Sequence, residues 1–199
     1  MKYVIASDLH GSALYTKRLL ESVEREEADR LLLLGDLLYH GPRNELPTGY
    51  DPKETATLLN KKKNMIFAVR GNCEAEVDQQ VLEFPVMADY AVFVEGAVKV
   101  FATHGHLYNE NHIPPLTEDF IFLHGHTHIP RCERHGGLLY MNPGSVSIPK
   151  GGSERSYILW NEDEFTLKTL EGTILAQYMK KYVKRRMNTY IPGFKCMVQ

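Results

Sequence analysis

Residues 2–36 open as Lys2-Tyr3-Val4-Ile5-Ala6-Ser7-Asp8-Leu9-His10-Gly11 and close as Arg30-Leu31-Leu32-Leu33-Leu34-Gly35-Asp36. The first run is apolar and partly β-branched, and it stops where small and polar residues take over, as a central strand does. Between the runs Ser12 stands as a helix N-cap. Leu14, Leu19, Leu20 and Val23 then recur at helical spacing up to Glu24-Arg25-Glu26-Glu27. The leucine run is too short for a typical helix and ends in a glycine, so it reads as a second buried strand. Strand, helix, strand at this spacing is a right-handed βαβ unit, and the fold class is α/β.

Outward from that unit, residues 37–50 are rich in glycine, proline and asparagine, which makes a long functional loop. Asp51, Pro52 and Glu54 predict a helix start with a capping box, and the helix runs to residue 62. A third strand over 64–69 ends in Arg70-Gly71-Asn72-Cys73-Glu74, and a short helix follows over 75–82. The second half is mostly β. Residues 90–94 and 97–102 form a hairpin about Glu95-Gly96, ending in Thr103-His104-Gly105-His106. Phe120-Ile121-Phe122-Leu123 leads into His124-Gly125-His126-Thr127-His128, and shorter strands cover 138–141, 157–160 and 165–170. An α/β half followed by a β half implies two sheets packed face to face with helices outside.

Neither repeats nor low-complexity linkers divide the chain, so a single domain is expected over 1–178. The remaining 179–199 form a basic extension, helical or frayed. Residues 177–187 carry Lys180, Lys181, Lys184, Arg185 and Arg186 and are read as a solvated segment rather than a docking helix. With 199 residues, 43% hydrophobic and 24% charged, the composition is that of a soluble globular protein. A formal net charge of −2 argues against strong nucleic-acid binding. No apolar run reaches membrane-spanning length, and the N-terminal run is too short for a signal peptide. Cys73, Cys132 and Cys196 lack CxxC spacing, so neither a disulfide framework nor a thiolate zinc site is implied, and a cytoplasmic location is expected.

The chemistry gathers where strands end: Asp8 and His10, Asp36, Asn72, His104, then His126 and His128. Open α/β sheets place ligands at the carboxyl ends of their strands. Members of the pairs Asp8/His10 and His126/His128 are two apart, so each pair faces one site if the backbone stays extended. Seven donors are too many for one tetrahedral ion and suit two. Mixed nitrogen and oxygen ligands fit manganese, zinc or iron better than calcium.

Asp8-Leu9-His10, Gly35-Asp36, Gly71-Asn72-Cys73-Glu74, His104-Gly105-His106 and Gly125-His126-Thr127-His128 follow one another in the order seen in calcineurin-like metallophosphoesterases. The chain resembles that family over residues 1 to about 178. Gly41-Pro42-Arg43-Asn44 and Asn142-Pro143-Gly144-Ser145-Val146-Ser147-Ile148-Pro149 narrow the likeness to small bacterial phosphodiesterases of the YfcE type.

The resemblance implies a four-layer α/β/β/α sandwich of two mixed sheets and two divalent metal ions. Manganese is foremost among these, with zinc, nickel or iron as alternatives. It assigns Asp8, His10 and His128 to one ion, Asn72, His104 and His126 to the other, and Asp36 to the bridge. Two ions about 3.5–4 Å apart can activate a hydroxide and polarise phosphoryl oxygens. The implied activity is hydrolysis of a small or exposed phosphodiester. Alternatives are a phosphomonoesterase or nucleotide pyrophosphatase, or a non-catalytic binding subunit such as the retromer subunit of this fold. A homo-oligomer is also expected.

Cys73 departs from the family pattern, in which many members carry histidine. A thiol is a poor acid for an alkoxide, so esters with good leaving groups, and diesters over monoesters, should be favoured. His106 is a candidate catalytic neighbour of the site, Arg43 and Asn44 are candidate substrate contacts, and His124 is expected to be packed without a role.

Overall fold

The computed structural model describes residues 1–135 and 137–180 together with the backbone of 197–198. Strand β1 (Lys2–Ala6) is buried on both faces, which is why its sequence shows no polar alternation. Val4 and Ala6 point toward the helices, while Tyr3 and Ile5 point toward the second sheet. Helix α1 (Ala13–Arg25) starts as expected, with Ser12 Oγ accepting from the Tyr15 amide at 3.3 Å. Its Tyr15, Leu19, Leu20 and Val23 share a core with Val4 and with Leu31 and Leu33 of β2 (Arg30–Leu33).

Helix α2 (Pro52–Asn60) is capped by Asp51, whose Oδ1 accepts from the Glu54 amide at 2.9 Å. Glu54 itself lies 3.3 Å from Lys17 of α1, a surface pair that contributes little to stability. A 3-10 turn (Lys63–Met65) occupies the start of the expected third strand, leaving β3 (Ile66–Ala68), and α3 (Glu76–Val81) follows. Strands β4 (Tyr90–Glu95) and β5 (Val98–Thr103) form the hairpin. It turns at Gly96-Ala97, one residue later than expected, with Gly96 at φ +60°. The chain continues through β6 (Phe120–Leu123), β7 (Arg131–His135), β8 (Leu138–Asn142), β9 (Ser156–Asn161), β10 (Glu164–Thr169), β11 (Ile174–Met179) and β12 (Met197–Val198).

These strands build the two expected mixed sheets. One has the order β12-β11-β10-β9-β1-β2-β3 and the other β4-β5-β6-β8-β7. Between them Tyr3 stacks on Trp160 at 4.6 Å and Trp160 on Phe165 at 5.2 Å, in a core shared with Val100, Ile121 and Leu139. Among the described residues every helix precedes residue 82. Tyr108 and Leu116, from the connection between β5 and β6, pack on the outer face of the second sheet against Phe101, Phe122, Leu138 and Tyr140. No helix among the described residues is long and apolar enough to cross a membrane.

Three strands escaped the sequence reading: β7, β11 and the two-residue β12, which lies in the extension expected to be helical or frayed. β7, Arg131-Cys132-Glu133-Arg134-His135, is an exposed edge with no apolar alternation to betray it. β11 replaces the start of the expected basic helix. Ala176 and Tyr178 point into the inter-sheet core while Gln177 and Met179 face outward, a period of two rather than 3.6. Beyond Lys180, only the backbone of β12 is described, and residues 181–196 and 199 lie outside the described residues.

The topology also places the chemistry. β1, β2 and β3 are mutually parallel, as are β5, β6 and β8, so each sheet presents several carboxyl ends at one edge. All seven donor residues follow those ends.

Candidate metal centre

Each candidate ligand lies past the end of its strand, in a turn. Asp8 (φ +58°), His10 (φ +47°), Asp36 (φ +56°), His126 (φ +68°) and His128 (φ +61°) all adopt the left-handed conformation. Contrary to the expectation from spacing, alternation along an extended backbone is therefore not what makes the pairs converge. A left-handed residue costs roughly 1–3 kcal/mol unless its surroundings hold it, and Asp and His bear it better than most. Only Glu27 and Glu162 share it among the other described non-glycine residues, so the strain is concentrated at the site.

Backbone ties hold these turns. The Oγ atoms of Ser145 and Ser147 both donate to the Asp8 carbonyl, at 2.8 and 3.0 Å, and the His126 amide donates to Asp8 Oδ2 at 3.0 Å. Gly125 lets the two sheets meet, since a Cβ there would stand 1.9 Å from Ser7 Oγ. Glu74, which the motif quoted but to which no role was given, is the largest omission. Its carboxylate accepts from the amides of Asp36 (2.8 Å), Leu37 (2.6 Å) and Gly71 (2.5 Å), locking the β2 turn to the β3 turn. Burial and the neighbouring Asp36 charge raise its pKa above the usual carboxylate range.

The histidines are oriented from behind. His10 Nδ1 donates to the Tyr39 carbonyl (2.9 Å), His104 Nδ1 to Leu34 (2.7 Å) and His128 Nδ1 to Ile148 (2.6 Å). A carbonyl only accepts, so the proton sits on Nδ1 and each neutral ring turns an Nε2 lone pair inward.

Those lone pairs form two groups. In the first, His10 Nε2 and His128 Nε2 are 3.2 Å apart, and Asp8 Oδ1 lies 3.6 and 3.3 Å from them. In the second, His104 Nε2 is 3.2 Å from both Asn72 Oδ1 and His126 Nδ1. Asp36 Oδ2 stands between, 3.8 Å from His10 Nε2 and 3.5 Å from His104 Nε2. The first group is buried, whereas Asn72 is exposed and His126 half-buried.

Asp8 Oδ1 is fully buried with no hydrogen-bond partner. An orphaned carboxylate oxygen facing two lone pairs is a costly arrangement that a cation resolves. The donor set therefore fits divalent metal ions.

Without metal, protons take that place. Burial alone would lower His104, but Asp36 and Asp8 carry it up to about 9, and Asp8 raises His10 against the same opposing effect. Burial raises Asp8 and Asp36, yet the histidines outweigh it and hold both below the usual range. A metal ion must then displace at least the His104 proton at neutral pH. Apparent affinity should fall about tenfold per pH unit per displaced proton below pH 9 and level off above it. Titration calorimetry at pH 7 in buffers of different ionisation enthalpy should show this release. Heats independent of buffer would refute it.

The remaining candidates fall around this core. A cavity of about 410 Å³ is lined by Asp36, Arg43, Asn44, Asn72, His126, Thr127, His128 and Lys150. Arg43 and Asn44 thus reach the site, and Lys150, a lone loop lysine with no motif to mark it, was missed. Cys73 gives its amide to Asp36 Oδ1 at 2.9 Å, and its sulfur lies within reach of the His10 and Asp36 donor atoms. Burial and Asp36 push its thiol far above the usual range, so it stays protonated. His106 lies 5.4 Å from His104 and 6.4 Å from His126, ring to ring, and burial beside His104 lowers it to about 4. His124 is packed as expected against Phe122 and Tyr140, uncharged through burial.

Known proteins resemble this chain in sequence and fold. Residues 1–164 match the calcineurin-like phosphoesterase superfamily domain. The phosphodiesterase YfcE of Escherichia coli K12 is 44% identical over 178 residues, 89% of this chain and 97% of that protein. A solved structure of E. coli YfcE, described as a phosphoesterase, superposes with a TM-score of 0.87 at 43% identity, covering 90% of this chain and 99% of that one. Vps29 from Chaetomium thermophilum shares the fold, with a TM-score of 0.56 at 18% identity over 90% of this chain and 99% of that one. By its matched domain and by that identity over nearly its whole described length, the chain belongs to the calcineurin-like phosphoesterase superfamily.

Proposed function

We propose that the protein is a metal-dependent phosphodiesterase hydrolysing a small or exposed phosphoric diester at a two-ion centre. Asp8, His10 and His128 would hold one ion, Asn72, His104 and His126 the other, and Asp36 would join them. The observation that carries this reading is Asp36 Oδ2 standing 3.8 and 3.5 Å from one imidazole nitrogen of each group. When bound, two divalent ions supply a nucleophilic hydroxide at neutral pH and neutralise charge on the phosphoryl oxygens. Manganese suits the nitrogen and oxygen donors, with zinc, nickel or iron as alternatives. Vps29-like fold similarity does not decide between catalysis and binding. All seven donors are present here, which favours catalysis.

The chain's own groups would shape selectivity. Asn44, tied to the His40 carbonyl at 2.8 Å, fixes the turn that carries Arg43 to the cavity. His106, uncharged at pH 7, lies beside the rings of His104 and His126 and carries no acidic proton to deliver. Cys73 offers only a weakly donating thiol beside Asp36, so poor leaving groups go unassisted. Cys73→His is expected to raise the ratio of monoesterase to diesterase kcat/KM about tenfold or more, a modest general-acid contribution. An unchanged ratio would make Cys73 a bystander.

The test of the function is reconstitution. Metal-stripped protein would be loaded with manganese, zinc, nickel or magnesium and assayed on aryl phosphodiesters and monoesters. Turnover of diesters in preference to monoesters is expected. Inactivity with every metal would sink the enzyme reading, and a monoester preference would move the assignment to a phosphomonoesterase.

A further inference from the structure

The cavity above the candidate metal centre is lined by two cations that nothing in that centre requires. Arg43 comes from the loop after β2, and Lys150 from the loop after β8. Neither has an ion pair or side-chain hydrogen bond among the described residues, whereas Arg70 is held by Asp89 and Arg131 by Glu110. Their backbones are nonetheless fixed. The Lys150 amide donates to the His128 carbonyl at 3.2 Å, and its own carbonyl accepts from Ser153 Oγ at 2.7 Å. Asn44, next to Arg43, donates from its amide to the Gly41 carbonyl at 3.2 Å. Two loops thus bring free charge to one cavity from anchored positions.

Charge balance says what those cations are for, given the two-ion reading on which this inference rests. Two divalent ions carry four positive charges. Asp8 and Asp36 offset two, and a hydroxide and a singly charged diester offset the others. Arg43 and Lys150 are then surplus to a simple diester. A guanidinium and an ammonium in one cavity suit a phosphate dianion, the first in bidentate fashion and the second as a point charge.

We infer that the substrate is a phosphodiester bearing a second phosphate, which Arg43 and Lys150 hold while the scissile group lies over the metal ligands. Both residues set specificity and neither takes part in bond breaking. The preference should lie mainly in KM and weaken with salt, because both cations are exposed.

A matched pair of substrates tests this: the p-nitrophenyl ester of thymidine 5′-phosphate, with and without a 3′-phosphate. They share a leaving group and differ by one phosphate. The metal-loaded protein should favour the 3′-phosphorylated ester about tenfold or more in kcat/KM, in line with charge-assisted contacts. Lys150→Gln and Arg43→Gln should each erode that ratio, and the double variant should bring it close to one. Equal kcat/KM for the pair, or a preference that survives the double substitution, would overturn the inference.

Binding gives a readout independent of turnover. Calorimetry on the metal-loaded protein should show thymidine 3′,5′-bisphosphate binding about tenfold more tightly than thymidine 5′-phosphate, with the difference lost in the double variant. Equal affinities would sink the inference. Failure to hydrolyse either ester would instead strike at the diesterase reading, and the binding difference would still decide this one.

Discussion

Asp36→Asn is expected to abolish turnover while leaving the fold in place. Asp36 Oδ1 accepts from the Cys73 amide at 2.9 Å, a bond the amide oxygen of asparagine can keep. Oδ2, which faces His10 and His104, would become an NH₂ group or lose its charge. The proposed bridge then has no anion to offset repulsion between two cations. A loss of about 10³-fold or more in kcat is expected, on the order of 4 kcal/mol of transition-state stabilisation. Bound metal per chain should fall with it.

Thermal melting separates this loss from unfolding. Without metal, the histidines hold the Asp36 carboxyl below its usual range, so its charge contributes stability at neutral pH that asparagine cannot supply. The metal-free variant should therefore melt somewhat lower than the metal-free parent at pH 7, and the difference should close as pH falls and Asp36 becomes protonated in the parent. With metal the parent should gain stability in proportion to its affinity and the variant should gain less. Full activity in Asp36→Asn would refute the bridging assignment. A metal-free loss that persists at low pH, where Asp36 is protonated in the parent, would show that the side chain is structural first.

Much of this centre was legible because its parts carry strong local signals. Apolar runs such as Val4-Ile5-Ala6 and Phe120-Ile121-Phe122-Leu123 cannot stay in water, and the polar residues closing them mark strand ends. Caps at Ser12 and Asp51 are decided by one side chain and one amide, so they too could be read. The conformation of the ligand turns could not. A spacing of two residues fits an extended strand and a left-handed turn equally well. What selects the turn at Asp8, His10, His126 and His128 is contact with distant residues, including Ser145, Ser147 and Ile148.

Glu74 was hidden for a related reason. An acidic residue beside metal ligands suggests a ligand, whereas this one spends both oxygens on backbone amides. Lys150 lies in a glycine-flanked loop, and only the fold brings it over His128.

Gly71→Ala should show how tightly that hidden frame is built. Gly71 is not in a left-handed conformation, so backbone strain does not exclude a side chain. Space does. A Cβ would stand 2.1 Å from Asp36 Oδ1, 2.5 Å from the Asp36 amide nitrogen and 2.8 Å from Glu74 Oε2. The carboxylate oxygens could rotate away, but the amide nitrogen belongs to a backbone fixed by Glu74 on one side and by β2 on the other. Relief requires the β2 and β3 turns to separate, which breaks the Glu74 bonds and moves Asp36 out of line with His10 and His104.

Overpacking of this kind costs about 1–3 kcal/mol, and the loss of satisfied buried amides adds about 1–3 kcal/mol more. Gly71→Ala should therefore combine a large drop in melting temperature, already present without metal, with loss of tight metal binding. The metal-free comparison is decisive, because there the Asp36→Asn loss should close as pH falls whereas the Gly71→Ala loss should not. Wild-type melting and metal retention in Gly71→Ala would mean that the two turns can part without cost, and that Glu74 does not hold Asp36 in place.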